Sequence, residues 1–68
     1  MDELSARELE ILRLLATGLS HTQIMAQLHI TKSTVKTYVY RMYNKMDAVN
    51  AAHAVARGYQ LGILGCGE

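Results

Sequence analysis

Apolar residues recur at helical spacing along most of the chain, and each periodic stretch opens on a capping signal. Ser5 stands three residues before Glu8, with Leu4 and Leu9 flanking the pair. This pattern is a capping box with its hydrophobic staple: serine and glutamate each serve the other's backbone amide, and the two leucines meet across the first turn. Ser20 with Gln23, flanked by Leu19 and Ile24, repeats the arrangement. Thr31, with Ile30 and Val35, supplies a third N-cap, and Asn50, with Val49 and Ala54, a fourth. The first helix is predicted to reach Thr17 and stop at Gly18, a residue type that tolerates the left-handed conformation ending many helices. Four helices of about 13, 8, 15 and 11 residues follow, joined by short links. No stretch alternates for long, and no Asn-Gly or Asp-Gly turn occurs, so no strand is predicted. The fold class is therefore all-α, in one domain spanning residues 1–68 with its core in 4–64. The tail 65–68 is expected to fray.

The link between the second and third helices is only two or three residues around His29 and Ile30. So short a link between a short and a longer helix predicts a helix-turn-helix. Glycine often fills such a turn, and His29 can serve because histidine tolerates positive φ. On a wheel of the third helix, Val35, Val39, Met42 and Met46 form the core stripe. Ser33, Lys36, Thr37, Tyr40 and Asn44 fall on the far side; Thr34, Arg41 and Lys45 lie along one border and Lys32 along the other. Hydrogen-bonding groups thus occupy the centre of the exposed face, with cations at its margins. Tyr38 and Tyr43 read equally well as covers of the core edge; Tyr40 points furthest from the core stripe.

Charge sharpens that picture. The whole chain carries a formal net charge of only +1. Residues 1–18 nevertheless carry a net −2, whereas His29 to Met46 holds Lys32, Lys36, Arg41 and Lys45 with no acid. One segment therefore has an unopposed basic field. Such a run taken alone fits a solvated helix face equally well. In a helix that fits the DNA major groove, central side chains reach base edges and marginal cations meet flanking phosphates.

Composition excludes several classes. Half of the 68 residues are hydrophobic and 19% are charged, which suits one small folded core and argues against disorder. A single cysteine excludes a disulfide framework and a cysteine-rich zinc site. No apolar run approaches a membrane span and no signal-peptide pattern opens the chain, so an intracellular, cytoplasmic protein is expected. His21, His29 and His53 share no metal-ligand spacing, and no metal or cofactor is expected. Cys66, between two glycines and without a neighbouring base, reads as a free tail thiol. No phosphate loop or nucleophile elbow appears, and the methionines read as core gap-fillers, so an enzyme is not expected.

The text LSARELEILRLLATGLS, then IMAQLHITKSTVKTYV, then KMDAVNAAHAVA resembles the LuxR/FixJ-type (GerE-like) helix-turn-helix domain of bacterial transcription regulators. The resemblance covers Leu4 to Leu64, nearly the whole chain. The tripeptide Thr34-Val35-Lys36 at its distance from the opening motif is the specific part. Region 4 of sigma factors shares the helix-turn-helix, but the YVYRMYNKM continuation and the apolar fourth helix favour the LuxR type.

The resemblance implies that the third helix reads bases at Lys36, Thr37 and Tyr40. It also implies phosphate contacts at Ser33, Thr34, Tyr38 and Lys45, and near His21 and Thr22 at the start of the second helix. The charge pattern adds Lys32 and Arg41 to the backbone set. Glu8 is implied to hold helices together through polar contacts, and the fourth helix to form a dimer surface. This chain departs from the family at His21-Thr22-Gln23, where Asn-Lys-Glu is usual, at Tyr38 for histidine, and at Ala51 for arginine. Each change removes charge or a donor, which implies a weaker phosphate grip.

The fourth helix is rich in alanine, and Ala52, Val55, Ala56 and Tyr59 are the candidate pairing residues. The same apolar residues would also suit a purely internal core. The expected function is sequence-specific binding of double-stranded DNA as a homodimer on a palindromic site, to regulate transcription on a bacterial or phage-encoded programme at the nucleoid. Because no receiver or sensing domain is read in the chain, a second expectation stands beside it: an interaction module that heterodimerises with a full-length regulator and antagonises it.

Overall fold

A computed structural model describes residues 3–64. Within them four helices follow one another: α1 (Ala6–Ala16), α2 (His21–Leu28), α3 (Lys32–Met46) and α4 (Ala51–Gln60). The expectations for the tail 65–68 and for Cys66 lie outside the described residues.

Each helix begins where its cap residue stands. Ser5, Ser20, Thr31 and Asn50 accept the amides of Glu8, Gln23, Thr34 and His53 at 3.2, 3.2, 3.2 and 2.8 Å. Both capping boxes close: Glu8 Oε1 accepts from Ser5 N, and Gln23 Oε1 from Ser20 N, each at 2.8 Å. These bonds satisfy amides that a helix N-terminus leaves without intrahelical partners.

The C-termini share one device. Gly18, His29, Asp47 and Gly62 are the positive-φ residues of the described chain, one after each helix. Beyond them the amides of Leu19, Ile30, Ala48 and Ile63 reach back to the carbonyls of Leu14, Met25, Tyr43 and Gly58 at 2.9–3.3 Å. This six-to-one bond is the Schellman closure. His29 takes φ 57° and ψ 44°, which turns the chain sharply between α2 and α3.

Two apolar clusters hold the helices. Ile11, Ile24, Val35 and Val39 join α1, α2 and the first half of α3. Leu12, Met42, Met46, Ala54 and Leu64 join α1, the second half of α3, and α4 with its C-terminal extension. Successive residues of α1, Ile11 and Leu12, enter different clusters, and Tyr43 packs against both. The valines and methionines expected as the α3 core stripe are all buried. One expected staple does not close. Val49 is 79% exposed while Ala54 is fully buried, and the Val49 amide donates instead to His53 Nδ1 at 3.2 Å.

Candidate nucleic-acid interface

The geometry of α3 follows from its two-sided composition. Burying one stripe turns Lys32, Ser33, Lys36, Thr37, Tyr40, Arg41 and Asn44 to solvent. Tyr40, at 68% exposure, projects as the most open ring on this face. Ser33, Thr34, Thr37, Tyr38 and Arg41 line one shallow groove along its side. Tyr38 does both things open to it: half-buried, it covers the Ile24–Val35–Val39 cluster and still lines that groove.

The hydroxyls are partly engaged. Thr37 Oγ1 donates to the Ser33 carbonyl at 2.9 Å, and the Thr34 and Thr31 hydroxyls lie 2.8 Å apart. Thr37 thus keeps its lone pairs and methyl for an incoming group. His21 and Thr22 form the first turn of α2, half-buried and exposed respectively.

Lys45 has a partner that local sequence does not reveal. Its ammonium sits 2.8 Å from Glu8 Oε1 and 3.4 Å from the Glu3 carbonyl oxygen. Glu8 is only 2% exposed, and the Lys45 side chain 28%. Burial alone would raise the Glu8 pKa. The bond from Lys45 and the bond from the Ser5 amide outweigh it and hold the carboxyl below its ordinary value. The cations of α3 without an ion-pair partner among the described residues are therefore Lys32, Lys36 and Arg41.

α4 presents a different exterior. Ala54 and Gly58 are buried against the core, which leaves Ala52, Ala56 and Tyr59 exposed along one stripe. Val55 is half-buried and packs against the Leu12–Met42–Met46 cluster, so its role in the core is direct.

The arrangement has relatives. The family model described as bacterial regulatory proteins, luxR family, matches residues 2–57. The chain belongs to this luxR family. It corresponds to the family's helix-turn-helix DNA-binding domain. A probable transcriptional regulatory protein NarL of Mycobacterium tuberculosis is 44% identical over 61 residues, 90% of this chain and 28% of the relative. The response regulator protein VraR of Staphylococcus aureus is 40% identical over 57 residues, 84% of this chain and 27% of that protein. The crystal structure of the response regulator ChrA, from a heme-sensing two-component system, superposes with a TM-score of 0.89 at 39% identity. It covers 94% of this chain and 32% of that one. The chain thus spans roughly a quarter to a third of the length of these luxR-family relatives.

Three structural residues of this luxR-type domain escape a reading of local patterns. Asp47 adopts φ 57° at the end of α3 with no glycine to mark it. Gly58 lies where an added Cβ would stand 2.8 Å from Leu64 Cδ1 and 3.2 Å from Leu12 Cδ2, so any side chain there would push on both leucines of the core. Arg57 Nε donates to the Met46 carbonyl at 2.9 Å, from α4 to the last turn of α3. For Gly58, its place four residues after Ala54 on the apolar side of α4 was the one available signal. Among the described residues no helix is long and apolar enough to cross a membrane.

Proposed function

We propose that the chain binds double-stranded DNA sequence-specifically through α3 and regulates transcription as a two-fold dimer paired through α4, in the bacterial cytoplasm at the nucleoid. The observation that carries this reading is the outward face of α3: exposed donors and acceptors between unpaired cations, with no acid among them. An α-helix fits the major groove, where each base pair presents a distinct pattern of donors, acceptors and methyl groups. Lys36, Thr37 and Tyr40 contact bases. The Lys36 ammonium suits guanine O6 or N7, Thr37 offers a methyl and acceptor lone pairs, and Tyr40 offers a ring face with one hydroxyl. Lys32, Ser33, Thr34, Tyr38 and Arg41 meet flanking phosphates, joined by His21 and Thr22 from the start of α2.

Lys45 has a double role in this reading. Its bond to Glu8 fixes α3 against α1, and its remaining exposure leaves one donor for a phosphate. The pairing surface is Ala52, Ala56 and Tyr59, with Val55 at its inner edge. Small side chains let a second α4 approach closely, and a two-fold operation uses the same patch twice. Two recognition helices then lie about 34 Å apart, one turn of DNA, on a palindromic site.

Selection of bound duplexes from a random pool tests the proposal. A recovered motif with two inverted half-sites about one helical turn apart supports both parts. A single half-site supports groove reading without pairing. No enrichment, with binding instead to a luxR-family regulator, would favour the antagonist.

A further inference from the structure

We propose that Arg57 is a positioning residue: its hydrogen bond to the Met46 carbonyl sets the register of the recognition helix against the pairing face of α4. The inference rests on the dimer reading above. Met46 is the last residue of α3, and its carbonyl has no intrahelical partner. Arg57 Nε donates to this carbonyl at 2.9 Å in a part-buried setting, eleven residues away in sequence. A cation at that end also complements the helix dipole.

The remaining contact between the two helices is apolar and adaptable. Met42 and Met46 share one apolar cluster with Ala54, and Tyr43 and Val55 pack at its edge. Methionine fills gaps of varied shape and specifies position weakly. A directional bond removes that freedom. On its opposite side α4 carries exposed Ala52, Ala56 and Tyr59. In a symmetric pair, any sliding of α3 relative to that stripe is repeated in both protomers and changes the separation of the two recognition helices. Arg57 therefore governs which half-site spacing is read, while touching neither DNA nor the partner.

The test uses the full chain on duplexes with two half-sites at several spacings around 10 base pairs, alongside a single half-site. Arg57→Gln keeps an N–H donor at the position of Nε and loses the charge. Arg57→Met puts a methyl there. The wild-type chain should prefer one spacing by about tenfold or more. Arg57→Gln should retain that preference. Arg57→Met should bind the single half-site within about twofold of wild type yet discriminate spacings by less than about threefold.

Several results would overturn the proposal. Retained spacing preference in Arg57→Met would make the bond a simple helix cap. An unfolded Arg57→Met would show that the bond holds the fold and not the register. Equal loss of half-site affinity in both variants, with a salt slope smaller by about one, would make the guanidinium a phosphate contact. Wild-type binding without cooperativity at any spacing would remove the dimer reading itself, and the inference with it.

Discussion

α3 turns Lys32, Ser33, Lys36, Thr37, Tyr40 and Arg41 to solvent, whereas α4 turns out Ala52, Ala56 and Tyr59. Both helices bury their apolar stripe in the same core, so the contrast lies entirely in what each leaves outside. A face of cations and hydroxyls suits phosphates and base edges, and its attraction is long-ranged and weakened by salt. A face of two alanines and a tyrosine ring offers short-ranged contact. The two faces therefore suit different kinds of partner, and the proposed function requires that they can be broken separately.

The largest expected effect is on the apolar side. Tyr59→Glu places a charge in the proposed pairing surface and should reduce cooperative binding to a palindrome by about 2–4 kcal/mol, as loss of a central interface aromatic does. Titration of the palindromic duplex checks this, and a folded variant with full cooperativity would move the interface elsewhere. Val55→Glu is the contrasting control: Val55 packs on the core, so thermal unfolding should show lost stability.

The mount of the polar face comes next. Glu8→Ala should lower unfolding free energy by about 1–3 kcal/mol, because the Ser5 amide and the Lys45 ammonium both lose their acceptor. Denaturant melts measure it. The sign with pH follows from the lowered Glu8 pKa. The ion pair contributes its stability above the ordinary carboxylate value of 4.5 and loses it as pH falls through the lower folded value. Acid melts of the wild type should show that loss, and Glu8→Ala should show less of it. Lys45→Ala should likewise weaken the fold, and should lower affinity for all sequences alike with a salt slope smaller by about one.

How far each feature could be read from sequence depends on how far apart its determinants lie. The four helix starts were legible because a cap and its partner sit three residues apart. The His29 turn and the α3 core stripe were legible for the same local reason. The 15-residue length of α3 was legible too, but not the left-handed Asp47 that ends it, because no glycine marks that position. Lys45–Glu8 and Arg57–Met46 span 37 and 11 residues, so only the packed fold brings them together. Lys45 shows the consequence most clearly. Its place on the helix wheel is that of a border cation, while its ammonium is held by a carboxylate from another helix. The Val49–Ala54 staple failed because the Val49 amide takes His53 Nδ1, and the side chain stays outside.

Two smaller effects sharpen the comparison. Asp47→Gly relieves a left-handed non-glycine residue and should stabilise the fold by up to about 1 kcal/mol in thermal melts, with DNA affinity unchanged. Tyr40→Phe should weaken specific binding less than Tyr40→Ala, because the exposed ring supplies contact area and the hydroxyl only one hydrogen bond. Equal affinities for both variants and the wild type would make Tyr40 a bystander.

The separability of the two faces is tested most directly by one titration series: a single half-site duplex against the wild type, Lys36→Ala and Tyr59→Glu. The account predicts that Lys36→Ala loses about 1–3 kcal/mol on the half-site and relaxes the preference at one base pair. Tyr59→Glu should bind the same duplex within about twofold of wild type, since Tyr59 lies beside α1 and the end of α4 and, among the described residues, shares no pocket with an α3 residue. Half-site binding that survives Lys36→Ala but fails in a folded Tyr59→Glu would contradict the assignment of DNA to α3 and pairing to α4.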